Sequence, residues 1–194
     1  MKNRPISKIF SLIIKVIILL SLFLFIYYLL YIKSNLIISE NLIKTEKILN
    51  EQKNYISQSR ITFIELIKLD PKSPNFVLEK RNEVKTLNEI NEKALIYLEN
   101  PYTYPKIFIK PKKYSNFLGN ELKEKMMKLR QKNKNFFIEQ KEFFSKLETI
   151  NFQDQTEFLK SAESIKLLTK QTNLILEHQF LLDKINYYQN KLIQ

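Results

Sequence analysis

Between Ile9 and Ile32 the chain reads IFSLIIKVIILLSLFLFIYYLLYI, an apolar run in which Lys15 is the single charge. As a helix this run reaches roughly 36 Å at about 1.5 Å per residue, enough to cross a hydrocarbon core of about 30 Å with some tilt. Apolar side chains surround every face, which suits lipid better than the core of a small domain. A cleavable signal peptide also begins with basic residues, as Lys2, Arg4 and Lys8 do here. The run is longer than an ordinary signal core, however, and Tyr31-Ile32-Lys33-Ser34-Asn35-Leu36 lacks a small-x-small cleavage site. The expectation is a signal-anchor: a basic tail over 1–8, a transmembrane helix over 9–32 and a body over 33–194.

Details inside the run fit this reading. Tyr27, Tyr28 and Tyr31 gather at its far end, where amphipathic rings prefer the headgroup level. Lys15 has a stem long enough for its ammonium to snorkel to the near interface; the alternative is pairing with a charge on a partner subunit. No glycine occurs in the run, so a GxxxG contact face is absent. Basic residues are denser before the span than after it, where Glu40 and Glu46 dilute Lys33, Lys44 and Lys47. The positive-inside rule then places the N-terminus in the cytoplasm and the body outside it, in the periplasm or the extracellular space.

Composition narrows the body. The chain has one glycine and no cysteine. Phosphate-cradling loops and β-rich folds draw on glycine, so neither is expected. Without cysteine there are no disulfides, no thiolate zinc sites and no lipid-modified cysteine, leaving packing as the source of stability. The formal net charge of +12 is concentrated rather than spread. Most of the surplus lies in 101–135, where only Glu121 and Glu124 oppose the lysines and Arg130.

Helical periodicity organises the chain beyond the anchor. Leu42, Leu49, Ile56 and Phe63 recur every seven residues, in a first helix over about 34–69 that is able to continue directly from the anchor. Its companion positions Thr45, Gln52 and Ser59 are polar, which is weak for a free coiled coil and better for a helix packed on several neighbours. Asp70-Pro71 ends this helix, and Ser73-Pro74 reads as the start of a second one over 74–99. Its face is Val77, Val84, Leu87, Ala94, Leu95 and Leu98, interrupted by Asn91. Pro101, Pro105 and Pro111 make 100–118 an irregular basic and aromatic loop. A third helix, capped by Asn120, covers 120–150 with Leu122, Leu129, Phe136, Phe143 and Ile150 in one seam. Asp154 and Glu157 resemble a capping box for a fourth helix over 155–192. Its two adjacent series are Leu167, Leu174, Leu181, Tyr188 and Leu168, Ile175, Leu182. The expected fold class is all-α: a transmembrane helix followed by an antiparallel bundle of about four helices. An elongated coiled coil dimerising through the third and fourth helices is the alternative.

Candidate chemistry is sparse. His178 is the single histidine and falls on the apolar stripe of the fourth helix, so a packed or interfacial ring is expected rather than a metal ligand. Glu79 with Glu83, and Glu89 with Lys93, have the spacing of ordinary helix surfaces. No nucleophile elbow, phosphate loop or metal-ligand repeat occurs, so the expectation is a non-enzyme without catalytic residues, cofactor or metal.

Two surfaces remain as candidates. Lys106, Lys110, Lys112 and Lys113 interleave with Tyr102, Tyr104, Phe108, Tyr114 and Phe117, and Lys123, Lys125, Lys128, Arg130, Lys132 and Lys134 lie just beyond them. Such a segment suits anionic lipid headgroups, anionic wall polymers or nucleic acid, against the plain alternative of a solvated helix face. Phe136, Phe137, Phe143 and Phe144 span a wide arc, so part of it is expected to meet a protein partner or a second copy. The leading expectation is a non-enzymatic, single-pass scaffold or interaction protein of a cell-envelope assembly. The alternatives are an anionic-surface binding domain using 106–134, or an inverted topology with a cytoplasmic body that tethers nucleic acid. Nucleic acid fits an external body least.

Overall fold

The computed structural model describes residues 4–100, 121–150 and 152–193. All regular structure among them is helical. A single rod opens the chain: α1 (Arg4–Tyr27), a π-helical turn (Tyr28–Ile32) and α2 (Lys33–Lys68) succeed one another without a break. At the turn the Lys33 amide donates to the Tyr28 carbonyl, five residues back, and Ser34 Oγ donates to the Leu29 carbonyl at 3.3 Å. The Tyr27 and Tyr31 rings stack beside it with centroids 5.6 Å apart. The helix α2 is thus continuous with the apolar run, and the wider turn marks the junction.

The rod ends where proline demands. Leu69 takes an extended backbone, Asp70 Oδ1 accepts the Lys72 amide, and Ser73 Oγ accepts the Asn75 amide at 3.3 Å. Ser73 therefore shapes the turn rather than capping a helix. The next helix, α3 (Phe76–Glu99), begins two residues beyond the Pro74 start expected from the sequence. Then come α4 (Leu122–Thr149), α5 (Phe152–Leu159) and α6 (Ala162–Ile193). The fourth helix expected over 155–192 is thus two helices. The chain turns at Lys160 and Ser161, and Asp154 lies within the first turn of α5. Asn120 and the loop 101–118 lie outside the described residues.

Cross-helix contacts fix the senses of the long helices. From α2 to α6, Glu46 meets Gln189, Lys53 meets Gln179 and Ser59 meets Gln171, so these two run in opposite directions. Lys132–Glu177, Glu139–Lys170 and Lys146–Glu163 set α4 against α6 in the same way. Tyr55 lies on Tyr97 from α2 to α3, and Arg130 of α4 reaches the end of α3 at Leu98. By contrast α2 and α4 run parallel across the interior: Gln52 meets Asn133 and Ser59 meets Gln140, both 81 residues apart.

One apolar cluster joins all the helices from α2 to α6. The seven-residue series supplies it as expected: Leu42, Leu49, Ile56 and Phe63 are buried, as are Leu122, Leu129, Phe136 and Phe143. Val77, placed by periodicity on the inner face of α3, is exposed instead, because it lies in the first turn beside the α2–α3 connection. The apolar run behaves differently. Between Phe10 and Ile32 no residue is buried, and the large apolar side chains other than the half-buried Leu29 are exposed.

Candidate functional site

The body carries its most distinctive chemistry in its interior. Thr45, Gln52 and Ser59, the polar companions of the α2 seam, are all buried. Asn91, Asn133, Gln140, Gln171 and His178 join them from α3, α4 and α6. Spacing by seven on α2, α4 and α6 sorts six of these into two layers. In the first, Asn133 Nδ2 donates to Gln52 Oε1 at 2.9 Å and lies 3.2 Å from His178 Nε2. In the second, Ser59 Oγ donates to Gln140 Oε1 at 2.8 Å and accepts from Gln140 Nε2 at 2.6 Å and Gln171 Nε2 at 3.2 Å.

The first layer dictates the state of its histidine. His178 Nδ1 lies 2.7 Å from the Leu174 carbonyl, an acceptor only, so Nδ1 carries the hydrogen. Nε2 is then the acceptor for Asn133 Nδ2, and the ring is neutral. Burial lowers the His178 pKa to about 4, outweighing the opposite pull of the Leu174 carbonyl and Glu177; Lys53 lowers it further. Protonation would put a hydrogen on Nε2 facing the Asn133 amide hydrogens. Among the described residues no group of three His, Cys, Asp or Glu side chains could hold a metal ion.

The structure divides the basic segment. Lys106, Lys110, Lys112 and Lys113 lie outside the described residues. On α4, at about 100° per residue, Lys123, Arg130 and Lys134 fall on the flank toward α3, whereas Lys125, Lys128 and Lys132 fall toward α6. Three of the six have partners within the chain. Arg130 donates from Nε to the Leu98 carbonyl at 2.8 Å and from its guanidinium to the Leu98 and Asn100 carbonyls. It thereby satisfies the end of α3. Lys125 pairs with Glu121 at 2.8 Å, which raises the lysine pKa and lowers that of the glutamate. Lys132 pairs with Glu177 at 2.6 Å. On the α6 flank Lys125 and Lys132 are paired with glutamates, whereas on the α3 flank Arg130 is held by carbonyls that leave its charge in place.

The expected phenylalanine partner surface is corrected outright. Phe136, Phe137, Phe143 and Phe144 are 4% exposed or less. Their wide arc is filled from within. Phe63 reaches across from α2 to within 5.6 Å of the Phe143 ring and 5.4 Å of the Phe144 ring, and Phe158 of α5 stacks on Phe143 at 4.8 Å. A helix with neighbours on both sides and a parallel helix opposite buries more than a narrow seam. Among the described residues beyond the apolar run, the exposed large aromatics lie on α6. Phe180 is 55% exposed and sits beneath Lys184 Nζ at 4.9 Å, and Tyr187 sits beneath Lys191 Nζ at 4.3 Å.

Two roles escaped the sequence reading. Arg130 as a cap for a helix 30 residues upstream has no local signal. The buried polar layers had one, the seven-residue spacing of Thr45, Gln52 and Ser59 in phase with the apolar seam. No protein-family model, no curated protein and no solved structure matches the chain.

Proposed function

We propose that this chain is a single-pass membrane protein whose antiparallel helical bundle serves as a non-enzymatic scaffold or interaction module of a cell-envelope assembly. The observation that carries the reading is the rod. Among the described residues, one helix is long and apolar enough to cross a membrane, and none of its most apolar window is buried by the rest of the chain. An apolar surface of that size, in water, would drive aggregation; in a bilayer it is already solvated. The unbroken passage from α1 into α2 ties the body rigidly to whatever holds the rod. The density of Lys2, Arg4, Lys8 and Lys15 before the junction supports a cytoplasmic N-terminus and an external body.

Fractionation and topology test the proposal together. The full chain is expected to sediment with membranes, to resist alkaline carbonate and to be released by detergent. Its C-terminus is expected to be digested by protease added to spheroplasts. Recovery in the soluble fraction would remove the anchor from the reading. A protected C-terminus in sealed spheroplasts would reverse the orientation and bring cytoplasmic partners, nucleic acid included, within reach.

A further inference from the structure

We propose that the layer formed by Ser59, Asn91, Gln140 and Gln171 is an internal hydration site, holding water that bridges Asn91 to Gln171. Each of these residues comes from a different helix, and all four are 0% exposed. Asn91 is placed at this level by the register of α3. On α2, Tyr97 lies against Tyr55 and Glu83 lies near Glu65, so Asn91, midway between, comes level with Ser59. On α4, Leu98 meets Arg130 and Val84 shares a groove with Leu147, so Asn91 falls between these levels, within one helical turn of Gln140.

The unpaired polar atoms of the layer define the class of ligand it can take. Ser59, Gln140 and the Gln171 amide nitrogen satisfy one another. Left without a protein partner are Asn91 Oδ1, Asn91 Nδ2 and Gln171 Oε1. Buried carboxamides in that state are disfavoured, and native interiors leave few of them. The set contains acceptors and a donor together. A cation would satisfy the oxygens and face the Asn91 amide hydrogens; an anion would do the reverse. Water accepts and donates at once and makes about three hydrogen bonds when buried. It accepts from Asn91 Nδ2 and donates to Gln171 Oε1, and its second hydrogen or that of a neighbouring water fills Asn91 Oδ1. The site concerns the body alone and stands on either topology.

The test uses the full chain in detergent micelles with nitrogen-15 in its asparagine and glutamine side chains. Both carboxamides, of Asn91 and of Gln171, are expected to show magnetisation transfer to long-lived water, and Asn91→Leu is expected to abolish it at Gln171. Transfer between the two side chains with none to water means a direct contact and overturns the proposal. A double-mutant cycle provides the second measurement. If water couples the residues, the melting-temperature shift of Asn91→Leu with Gln171→Met departs from the sum of the single shifts by more than about 2 °C. Additive shifts overturn the proposal even if both variants are well folded.

Discussion

The two halves of the rod are the same secondary structure with opposite arrangements of polarity. From Phe10 to Ile32 the helix wears its apolar side chains outward, and none of its most apolar stretch is buried by the rest of the chain. From Lys33 to Lys68 it turns Leu42, Leu49, Ile56 and Phe63 inward, and it also turns Thr45, Gln52 and Ser59 inward, where other groups meet their polar atoms. Helix propensity does not separate the halves; their surroundings do. The outer half would suit a medium that cannot hydrogen-bond: its helical backbone is satisfied internally, and its side chains are hydrocarbon apart from Ser11, Lys15, Ser21 and three tyrosines. The inner half matches three neighbouring helices that can supply donors and acceptors at chosen heights.

The sharpest way to break that contrast is to give the outer half the chemistry of the inner one. Leu20→Asp with Leu24→Asp places two carboxylates near the centre of the run. At about 2.5–3.5 kcal/mol each on insertion scales, together they should abolish membrane retention. The readout is alkaline carbonate extraction, with the body's helical signal as the control for folding. Retention of the double variant would mean that the run is not held by hydrocarbon.

The next largest effect belongs to the inner half. Phe63 is fully buried and touches the Phe143 and Phe144 rings, so Phe63→Ala should cost the body about 3–5 kcal/mol in denaturant unfolding. Phe23→Ala, the same change in the exposed half, should leave that unfolding curve where it is. Equal effects at the two sites would mean that the rod is packed against protein after all.

Legibility in the sequence divides along the same line. The outer half could be read because a run apolar on all sides admits few interpretations. The inner seam could be read because Leu42, Leu49, Ile56 and Phe63 keep one period. Thr45, Gln52 and Ser59 kept that period too; Thr45 bonds back to the Asn41 carbonyl, but Gln52 and Ser59 need partners on other helices, and a partner 81 residues away leaves no trace in the local pattern. The phenylalanines of α4 were misplaced for the same reason. Their arc is too wide for one neighbour, and only the packed body shows that Phe63 and Phe158 fill the remainder. The break between α5 and α6 had no proline or glycine to announce it.

Acid sharpens the contrast further, because the inner half faces a titratable group and the outer half does not. His178 has a folded pKa of about 4, below its ordinary value of 6.5. Between those values the unfolded chain binds the proton and the folded chain excludes it, so the body's stability falls as pH falls through this window. The loss should approach about 3 kcal/mol near pH 4. Urea unfolding from pH 7.5 to 4.5 measures it, and His178→Leu should flatten the slope in that interval. A slope unchanged by the substitution would move the titration to the carboxylates.

The smallest expected effect separates the two readings of the basic segment. Arg130 is a cap in this structure: its guanidinium fills the carbonyls that α3 leaves open at Leu98 and Asn100. Arg130→Gln should cost about 1–2 kcal/mol of stability, the range for hydrogen bonds from a charged donor that is partly exposed. The loss should appear as faster amide exchange in the last turn of α3. Lys123→Gln, on the same flank and exposed, should change neither. If Arg130 instead serves an anionic ligand, the two substitutions should weaken vesicle binding alike, with the steepest loss at low salt, and α3 should exchange as before. The pair thus reads the same flank twice, once for what it holds inside the chain and once for what it offers outside.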